Sequence, residues 1–210
     1  MNKHFIRCCL ATASALLTLP AWAQSTHLND WAKSGDVVVG ASAALLSTAF
    51  SDESPASGTS ALDYIALEPA LGLPYDSLGA GDTWDGSALQ HRFAASANTT
   101  VSFSWSLSTV GFDPRFADRA FVVVDGTVLT LGTVAPSTVT GSFSHNFANA
   151  GSHALAFGVV DVGDVVGVST LTVSSLAVSA VPEPMSLVLL LAGLGGLGAV
   201  ARRNAGQTTR

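Results

Sequence analysis

Cysteine and basic residues are scarce in this chain of 210 residues, and all charged residues together make up 11% of it. The two cysteines, Cys8 and Cys9, lie side by side in an N-terminal segment that we expect to be removed. The remaining chain would then have no disulfide bond and no thiolate metal site. The sequence also lacks the H-E-x-x-H, G-x-S-x-G and Walker patterns. No helix-borne zinc protease site, nucleophile elbow or phosphate-binding loop is therefore expected.

The central part of the chain, residues 24–180, is strongly acidic once both termini are set aside. It holds fourteen aspartates and glutamates but only four basic residues, which gives a net charge of −10. A surface of this sign repels nucleic acid and anionic lipid. We therefore expect no nucleic-acid partner. Such a surface suits a soluble extracellular protein, neutral glycans or divalent cations.

The N-terminus has the three parts of a secretory signal. Basic residues precede an apolar run over 8–19, and Ala21 and Ala23 provide the small residues that signal peptidase accepts. We predict that 1–23 is a helical signal peptide and that cleavage leaves Gln24 as the first residue. The alternative is an uncleaved anchor or a buried N-terminal helix, but the run is shorter than the ~20 residues that a spanning helix needs.

The C-terminus has a different three-part pattern. Its parts are the motif Val181, Pro182, Glu183 and Pro184, an uncharged apolar segment over 185–201, and the basic pair Arg202 and Arg203. Each proline fixes φ at about −65° and pushes the residue before it out of the helical region. We therefore expect an extended backbone at the motif.

The apolar segment is predicted to be a single transmembrane helix. Its seventeen residues would span about 25 Å as a helix, slightly less than the ~30 Å hydrocarbon core of a bilayer. By the positive-inside rule, the basic pair places residues 204–210 in the cytoplasm. The alternative is a core helix of a soluble domain, but such a helix would show a polar face, and this segment shows none.

This tail resembles the PEP-CTERM sorting signal of bacteria that have extracellular polysaccharide systems. The resemblance implies that an exosortase, a membrane-embedded protease with a cysteine nucleophile, recognises Pro182, Glu183 and Pro184 and cuts near them. It also implies a Gram-negative-type host and a precursor anchored in the inner membrane. The processed product would then lie at the cell surface or in the extracellular matrix.

The central part predicts an all-β fold, because short β-branched or alternating runs are separated by Gly, Asp and Pro turns. Eight or so strands indicate an antiparallel β-sandwich that is jelly-roll-like. Asp125 and Gly126 predict a hairpin turn, and Ala61–Leu67 and Phe116–Arg119 are predicted to be short helical turns. The predicted strands are 36–40, 42–50, 99–109, 121–124, 127–131, 139–147, 154–160 and 169–178.

The order of several segments in this body also resembles β-sandwich domains that often precede PEP-CTERM tails. The segments are Gly81–Leu89, Val101–Thr109, Asp118–Gly126, Phe157–Asp164 and Ser169–Val178. The last strand of those domains commonly carries a Val-Asp-Asn-Val type sequence, but this chain has Val173-Ser-Ser-Leu176 there. If that Asp is a cation ligand in the resembled domains, the site is lost or weakened here.

Two kinds of residue in the body are candidates for binding. Oxygen-rich loops with glycine suit Ca²⁺, and the candidate ligands are Asp82, Asp85, Asp161 and Asp164. The alternative is that these aspartates only form turns, because the Asp side chain bonds nearby backbone N–H groups. Trp84, which is predicted to lie in a loop, is the candidate for stacking on a sugar ring. Trp105 and His145 are predicted to lie in the core.

These observations predict an exported, non-enzymatic surface or matrix protein with no firm cofactor, sorted by an exosortase. A glycan- or calcium-binding module exported by the same route is the alternative, and a hydrolase with an unrecognised site is a third reading. Signal peptidase and exosortase are the expected partners, together with extracellular polysaccharide. The predicted domains are a signal peptide (1–23), a sandwich (24–180), a sorting signal (181–203) and a cytoplasmic tail (204–210).

Overall fold

A computed structural model describes residues 27–79, 81–179 and 189–197. The described chain forms two facing antiparallel sheets, together with a short α-helix over Tyr64–Ala70 (α1), a 3₁₀ turn over Leu28–Asp30 and a helical segment at 189–197. The strands are β1 (Ala32–Ser34), β2 (Asp36–Val39), β3 (Ala43–Ser47), β4 (Leu62–Asp63), β5 (Thr83–Ala95), β6 (Thr99–Val110), β7 (Arg119–Val124), β8 (Thr127–Thr133), β9 (Val139–Phe147), β10 (Gly151–Val162) and β11 (Val168–Ser179).

The two sheets contain strands that are far apart in sequence. In the first sheet, sheet A, the order is β1-β5-β10-β7-β8, and β4 also pairs with β5. In the second, sheet B, the order is β2-β3-β11-β6-β9. Most connections between the described strands therefore cross from one sheet to the other. The prediction of a two-sheet antiparallel sandwich is confirmed.

The core lies between the sheets, where the period of two along each strand sends alternate side chains inward. On β6, Val101, Phe103, Trp105 and Leu107 are all buried, as the alternation of this segment predicts. Each faces the aliphatic and aromatic side chains of the opposite sheet, such as Phe157. Burying side chains of this size contributes about 1.5–3 kcal/mol each.

The predicted hairpin at Asp125 and Gly126 is confirmed. Both residues have positive φ, 48° and 82°, which is the backbone that a two-residue turn of the favoured hand requires. The turn joins β7 to β8, and Val124 pairs with Thr127 across it. Gly126 tolerates this φ because it has no Cβ.

Trp105 lies in the core, as predicted. Its indole ring packs against a glycine on each of two strands, β8 and β9. A Cβ on Gly141 of β9 would lie 2.5 Å from the indole ring, and a Cβ on Gly132 of β8 would lie 2.8 Å from it. The two glycines therefore provide the space that the ring fills. His145, on the same strand as Gly141, is half-buried and lies between Phe143 and Phe147.

The structure corrects the prediction made for Trp84. Trp84 does not lie in a loop, because β5 begins at Thr83 and continues to Ala95. The aspartate, glycine and alanines of β5 are poor strand formers, yet β5 lies between β1 and β10 and pairs with both. Tertiary pairing overrides the local preference.

The predicted helical turns differ from the observed structure in both places. Over Ala61–Leu67, the helix begins only at Tyr64, because Asp63 is its N-cap and accepts the Ala66 N–H at 2.8 Å. The segment Phe116–Arg119 is not helical. Arg119 already belongs to β7, where it pairs with Val160.

Helix α1 and the loop after it cover part of the outer face of sheet A. Their buried side chains are Leu67, Leu71, Leu73 and Leu78, and these pack on Ala88, Phe121, Val123, Ala156 and Val160 of the sheet. Glu68 of α1 is buried, and its carboxylate accepts the N–H groups of Asp76 at 2.7 Å and Leu78 at 2.8 Å. This buried carboxylate ties the loop back onto the helix.

Only part of the C-terminal tail can be compared with its prediction. Residues 189–197 are helical and exposed, within the predicted span of 185–201. In the part of the chain that the structure describes, no helix has both the length and the apolar character needed to cross a membrane. The predicted signal helix over 1–23 lies outside the described residues.

Candidate functional site

The residues predicted to direct export lie outside the described part of the chain. They are Ala21, Ala23 and Gln24 at the expected signal cleavage, Val181, Pro182, Glu183 and Pro184 at the sorting motif, and Arg202 and Arg203 at the basic stop. The sandwich ends with β11 at Ser179, immediately before the sorting motif. Candidate binding residues in the sandwich can be placed directly.

The four aspartates predicted as calcium ligands separate into two groups. Asp82 and Asp164 lie in loops, where the Asp82 carbonyl accepts the Gly163 N–H at 2.7 Å and the Asp164 side chain accepts the Val166 N–H at 3.2 Å. The Asp164 side chain thus has the turn role of aspartate, whereas the Asp82 contact is made by the backbone. Asp85 and Asp161 instead lie on β5 and β10 with their side chains buried. The prediction that they belong to loops is wrong, since the ladder between these strands extends past both residues.

Asp85, Asp118 and Asp161 form a buried group of three carboxyl side chains at one end of the sandwich. Asp161 follows Val160, which pairs with Arg119, so Asp118 is its neighbour on the β7 side. On the other side, β10 pairs with β5 down to Thr83, which places Asp85 beside Asp161. Their exposed fractions are only 7%, 6% and 3%. We call these three residues the aspartate cluster.

Hydroxyl groups from sheet B and the segment after β3 close the aspartate cluster from the opposite side. The Ser169 hydroxyl donates to Asp118, whose other oxygen accepts the Val162 N–H at 3.1 Å. The Thr48 hydroxyl donates to Asp161, while its oxygen accepts the Ser169 N–H at 3.0 Å. The cluster is therefore built from both sheets and depends on their packing.

Burial and mutual repulsion favour the neutral form of the carboxyl groups in this cluster. Burial, followed by the charge of Asp118, raises the pKa of Asp161 to about 10. Burial also raises the pKa of Asp85 to about 6, although its hydrogen bond with Asp161 acts in the opposite direction. If both groups were ionised, Asp85 Oδ1 would have no donor among the described residues. A proton on Asp161 allows the two side chains to share a hydrogen bond.

The aspartate cluster is not a ready-made metal centre. Among residues 27–79, 81–179 and 189–197, no three carboxylate, histidine or cysteine side chains are arranged to hold a metal ion. Calcium binding through Asp82, Asp85, Asp161 and Asp164 therefore stays a prediction. The fold places the side chains of Asp85 and Asp161 together in the core, and the hydrogen bond from the Gly163 N–H to the Asp82 carbonyl brings the loops of Asp82 and Asp164 together.

Asp36 is a further buried carboxylate near the cluster, but its environment is different. It accepts hydrogen bonds from the Ser47 hydroxyl and from the N–H groups of Ala56 at 3.1 Å and Ser57 at 2.7 Å. Burial raises the pKa of Asp36, but these hydrogen bonds outweigh that effect, and the net result is a lowered pKa. Asp36 is thus a structural anion that holds the segment after β3.

Trp84 is the aromatic residue whose exposure fits a binding role. Its side chain is 54% exposed and alternates with the buried Thr83 and Asp85 on β5, so it points away from the core. An exposed indole on a rigid strand offers a flat apolar face to a ligand.

A cleft lies on the outer face of sheet A, where the cover provided by α1 ends. Its volume is about 360 Å³, which lies in the range of small-molecule sites. The lining residues are Leu71, Gly72, Gln90, Arg92, Val123, Asp125, Gly126, Ser152, Ala154 and Ala156. We call this site the outer cleft. It is separate from the aspartate cluster, which lies inside the sandwich.

The rim of the outer cleft holds both acceptors and donors. Asp125 forms an ion pair with His153 at 2.7 Å and accepts the Ala154 N–H at 2.8 Å. Burial raises the pKa of Asp125, but these hydrogen bonds outweigh it and lower that pKa, while the bond to Asp125 raises the pKa of His153. Gln90 donates to the Leu71 carbonyl at 3.0 Å. Arg92 is exposed and forms no ion pair with any described residue.

Sequence reasoning did not single out Gln90, Arg92 or Ser152 as a site, and it placed Asp118 within a predicted helical turn over Phe116–Arg119. A signal for the buried acids was available. Asp161 directly follows Val159 and Val160 at the end of the predicted strand 154–160, which is the pattern of an acid carried into a core. No local pattern marks the outer cleft, because its walls come from three strands and a loop.

Comparison with known families decides the nature of the C-terminal tail. Residues 180–204 match the PEP-CTERM protein-sorting motif. The chain carries a PEP-CTERM sorting tail. The match includes the predicted motif Val181–Pro184 and the basic pair Arg202 and Arg203, and it indicates export that depends on an exosortase. No curated protein is significantly similar to the chain.

Several solved structures are weakly similar to the body that precedes the PEP-CTERM tail. A CBM4 protein is 11% identical with a TM-score of 0.39, over 73% of this chain and 96% of its own. TmCBM61, solved with β-1,4-galactotriose, is 10% identical with a TM-score of 0.39, over 74% and 91%. The N-terminal cellulose-binding domain of Cellulomonas fimi β-1,4-glucanase C is 13% identical with a TM-score of 0.34, over 73% and 90%. Because these TM-scores are low, the sandwich assignment rests on the strand pairing of this chain itself.

Proposed function

We propose that this chain is an exported, non-enzymatic protein that an exosortase sorts and cleaves at its PEP-CTERM tail. The observation that carries the proposal is the match of residues 180–204 to the sorting motif. The precursor spans the inner membrane once through 185–201, and signal peptidase removes 1–23. The sandwich, with a jelly-roll-like connectivity, is delivered to the cell surface or the extracellular matrix.

The arrangement of the tail supports cleavage close to the sandwich. β11 ends at Ser179, so the recognition residues follow directly after the last paired strand. Prolines at 182 and 184 have no N–H to donate, and proline disfavours a helical backbone at the residue before it. An extended, unpaired backbone is the form that a protease cleft binds, and Glu183 adds a charge that a basic pocket can recognise.

The mass of the mature protein tests this proposal. In the native host, the released form is expected to lack residues at both ends, including Arg202 and Arg203. The replacement Glu183→Ala, or expression in a host without an exosortase, is expected to leave the C-terminal residues in place. Intact-mass spectrometry of the membrane and extracellular fractions measures both outcomes.

Asp52→Ala is the matched control, because it removes an exposed acid of the sandwich and leaves the tail unchanged. Its product should be processed like the wild type. Release of a chain with its C-terminus intact from the native host would refute exosortase processing, and so would normal processing of Glu183→Ala together with a Pro182→Ala, Pro184→Ala variant.

Glycan binding is a second candidate function for the sandwich. It is favoured by the 54% exposure of Trp84 on a strand, where the ring is available to stack on a sugar face, and by the net charge of −10, which suits a neutral glycan. Binding of extracellular polysaccharide from the host should raise the melting temperature of the protein. An unchanged melting temperature at saturating polysaccharide would count against this candidate.

A further inference from the structure

The floor of the outer cleft is a trough between two rows of larger side chains. Its centre is β10, where Ala154 and Ala156 face outward. Ala154 pairs with Arg92, and Ala156 pairs with Gln90 on β5 and with Val123 on β7. Because adjacent strands are ~4.8 Å apart, the two walls are separated by roughly 10 Å.

The ends and rim of the trough are also defined by named groups. Leu71 and Gly72, where α1 has ended, close it on the side of the helix, and the hairpin residues Asp125 and Gly126 border it on the β7 side. Ser152 lies on β10, next to Ala154 in the outward-facing series. The backbone around the trough belongs to paired strands, so the lining groups are held in place before any ligand arrives.

The polar groups of the rim are mixed in both charge and hydrogen-bonding character. Arg92, Gln90 and Ser152 offer donors, while Asp125 and Ser152 offer acceptors. Arg92 and Asp125 are the two charged side chains of the lining, and they carry opposite charges. The rim therefore has no excess of one sign that would select a charged ligand.

We propose that the outer cleft binds a neutral sugar unit of a polysaccharide. Hydroxyl groups of the sugar lie between Arg92 and Gln90 on one wall and Asp125 on the other. The ring rests on Ala154, since Ala156 is buried beneath the loop after α1. This inference deepens the glycan-binding candidate and rests on it. It places the binding site at the cleft and not at Trp84. On β5, the cleft residue Gln90 lies six residues after Trp84.

Charge on the whole sandwich supports a neutral ligand over an acidic one. The body carries ten more acidic than basic residues, so an anionic polysaccharide is repelled before it reaches the rim. The single positive charge of Arg92, opposite Asp125, does not reverse the negative potential of the sandwich. Neutral sugars, which bind through paired donors and acceptors, avoid this cost.

Isothermal titration calorimetry with defined trisaccharides tests the inference. The full chain is kept in a polyoxyethylene detergent, which contains no sugar, and is titrated with neutral glucose, galactose and mannose trisaccharides and with a galacturonate trisaccharide. At least one neutral trisaccharide is expected to bind more tightly than the galacturonate. Arg92→Gln should lower the association constant about ten-fold, as expected for the loss of a charged hydrogen-bond donor.

Two further variants and a control separate the cleft from other surfaces. Ala154→Phe fills the trough and should abolish binding, and circular dichroism checks that the variant is folded. Arg115→Gln is the matched control, because Arg115 is an exposed arginine whose ion pair with Asp113 lies in the loop before β7. This control should bind like the wild type.

The outcomes distinguish this inference from the function on which it rests. If Trp84→Ala loses binding while Arg92→Gln and Ala154→Phe bind like the wild type, the cleft is not the sugar-binding site. The proposal that the sandwich binds glycan would still stand. Tighter binding of the galacturonate trisaccharide than of every neutral one would refute the preference for a neutral sugar. Binding of none of the trisaccharides would overturn both proposals, while export through the PEP-CTERM tail would be untouched.

Discussion

Asp161 occupies an interior position that carboxylates rarely take unless they are paired. It lies between Asp85 and Asp118, and all three side chains are buried. The free-energy cost of burying these carboxyl groups is offset by a proton kept on the cluster and by hydrogen bonds from the Thr48 and Ser169 hydroxyls. At the scale of single residues, the cluster therefore makes stability depend on pH.

The pH dependence of stability has a definite sign. The folded-state pKa of Asp161, about 10, and that of Asp85, about 6, lie above the ordinary value of 3.8. The folded chain thus holds protons that the unfolded chain has already lost at neutral pH. This contribution is fully present below about pH 4 and is lost as the pH rises, through about 6 for Asp85 and towards 10 for Asp161.

Asp161→Asn should flatten this dependence, because an amide keeps hydrogen-bonding capacity but does not ionise. The free energy of unfolding of the wild type is expected to fall between about pH 5 and about pH 9, with a slope of at most about 1.4 kcal/mol per pH unit for each proton. Urea denaturation at several pH values measures the two slopes.

Asp82→Asn, which changes an exposed aspartate, is the control and should keep the wild-type slope. Equal slopes in Asp161→Asn and the wild type would contradict a protonated cluster. Repeating the series with Ca²⁺ also tests the calcium prediction, since a bound cation would replace the proton and raise stability at high pH.

At the scale of elements, strands β8 and β9 pack against the indole ring of Trp105 on β6. Trp105 fills the space above Gly132 and Gly141, and the alternation of β6 and β9 in the sequence already predicts that Trp105 and Gly141 face inward. What the pattern does not show is which glycines the ring contacts, because β8 joins sheet A while β6 and β9 lie in sheet B.

Gly141→Ala should destabilise the sandwich by about 1–3 kcal/mol, the usual cost of overpacking a core. The added Cβ would lie 2.5 Å from the indole, so the ring or the strand must shift. Thermal unfolding and the near-ultraviolet circular dichroism of tryptophan measure the effect. Ser142→Ala, on the exposed face of the same strand, should stay within about 0.5 kcal/mol of the wild type. Equal stability of the two variants would show that the ring is not confined there.

At the scale of the whole molecule, the sandwich and the sorting tail have separate roles. The described tail residues 189–197 are exposed, and a Cβ added at Gly193, Gly195 or Gly196 would meet nothing within 4 Å. The core, in contrast, needs β11, because this strand pairs with both β3 and β6 and buries Leu171 and Val173. Folding of the sandwich should therefore not depend on the tail.

A chain that ends at Ala180 should keep the melting temperature of the sandwich within about 2 °C, the shift that a change of less than 1 kcal/mol produces in a domain of this size. A chain that ends at Gly167 loses β11 and should not fold. Differential scanning calorimetry distinguishes these outcomes. A large fall in melting temperature on removal of residues 181–210 would show that the tail takes part in the fold.

The sequence by itself determined the features that depend on neighbours along the chain. Alternation with a period of two placed β6 and β9, Asp125 and Gly126 defined a hairpin, and the order of proline motif, apolar segment and basic pair marked the sorting tail. The tertiary structure alone decided that β5 is a strand, that Asp85, Asp118 and Asp161 meet, and that Ala154 and Ala156 form the floor of a cleft. The physical reason is that these groups become neighbours only when β5, β10 and β7 pair, and that strand order is set by the packing of the two sheets.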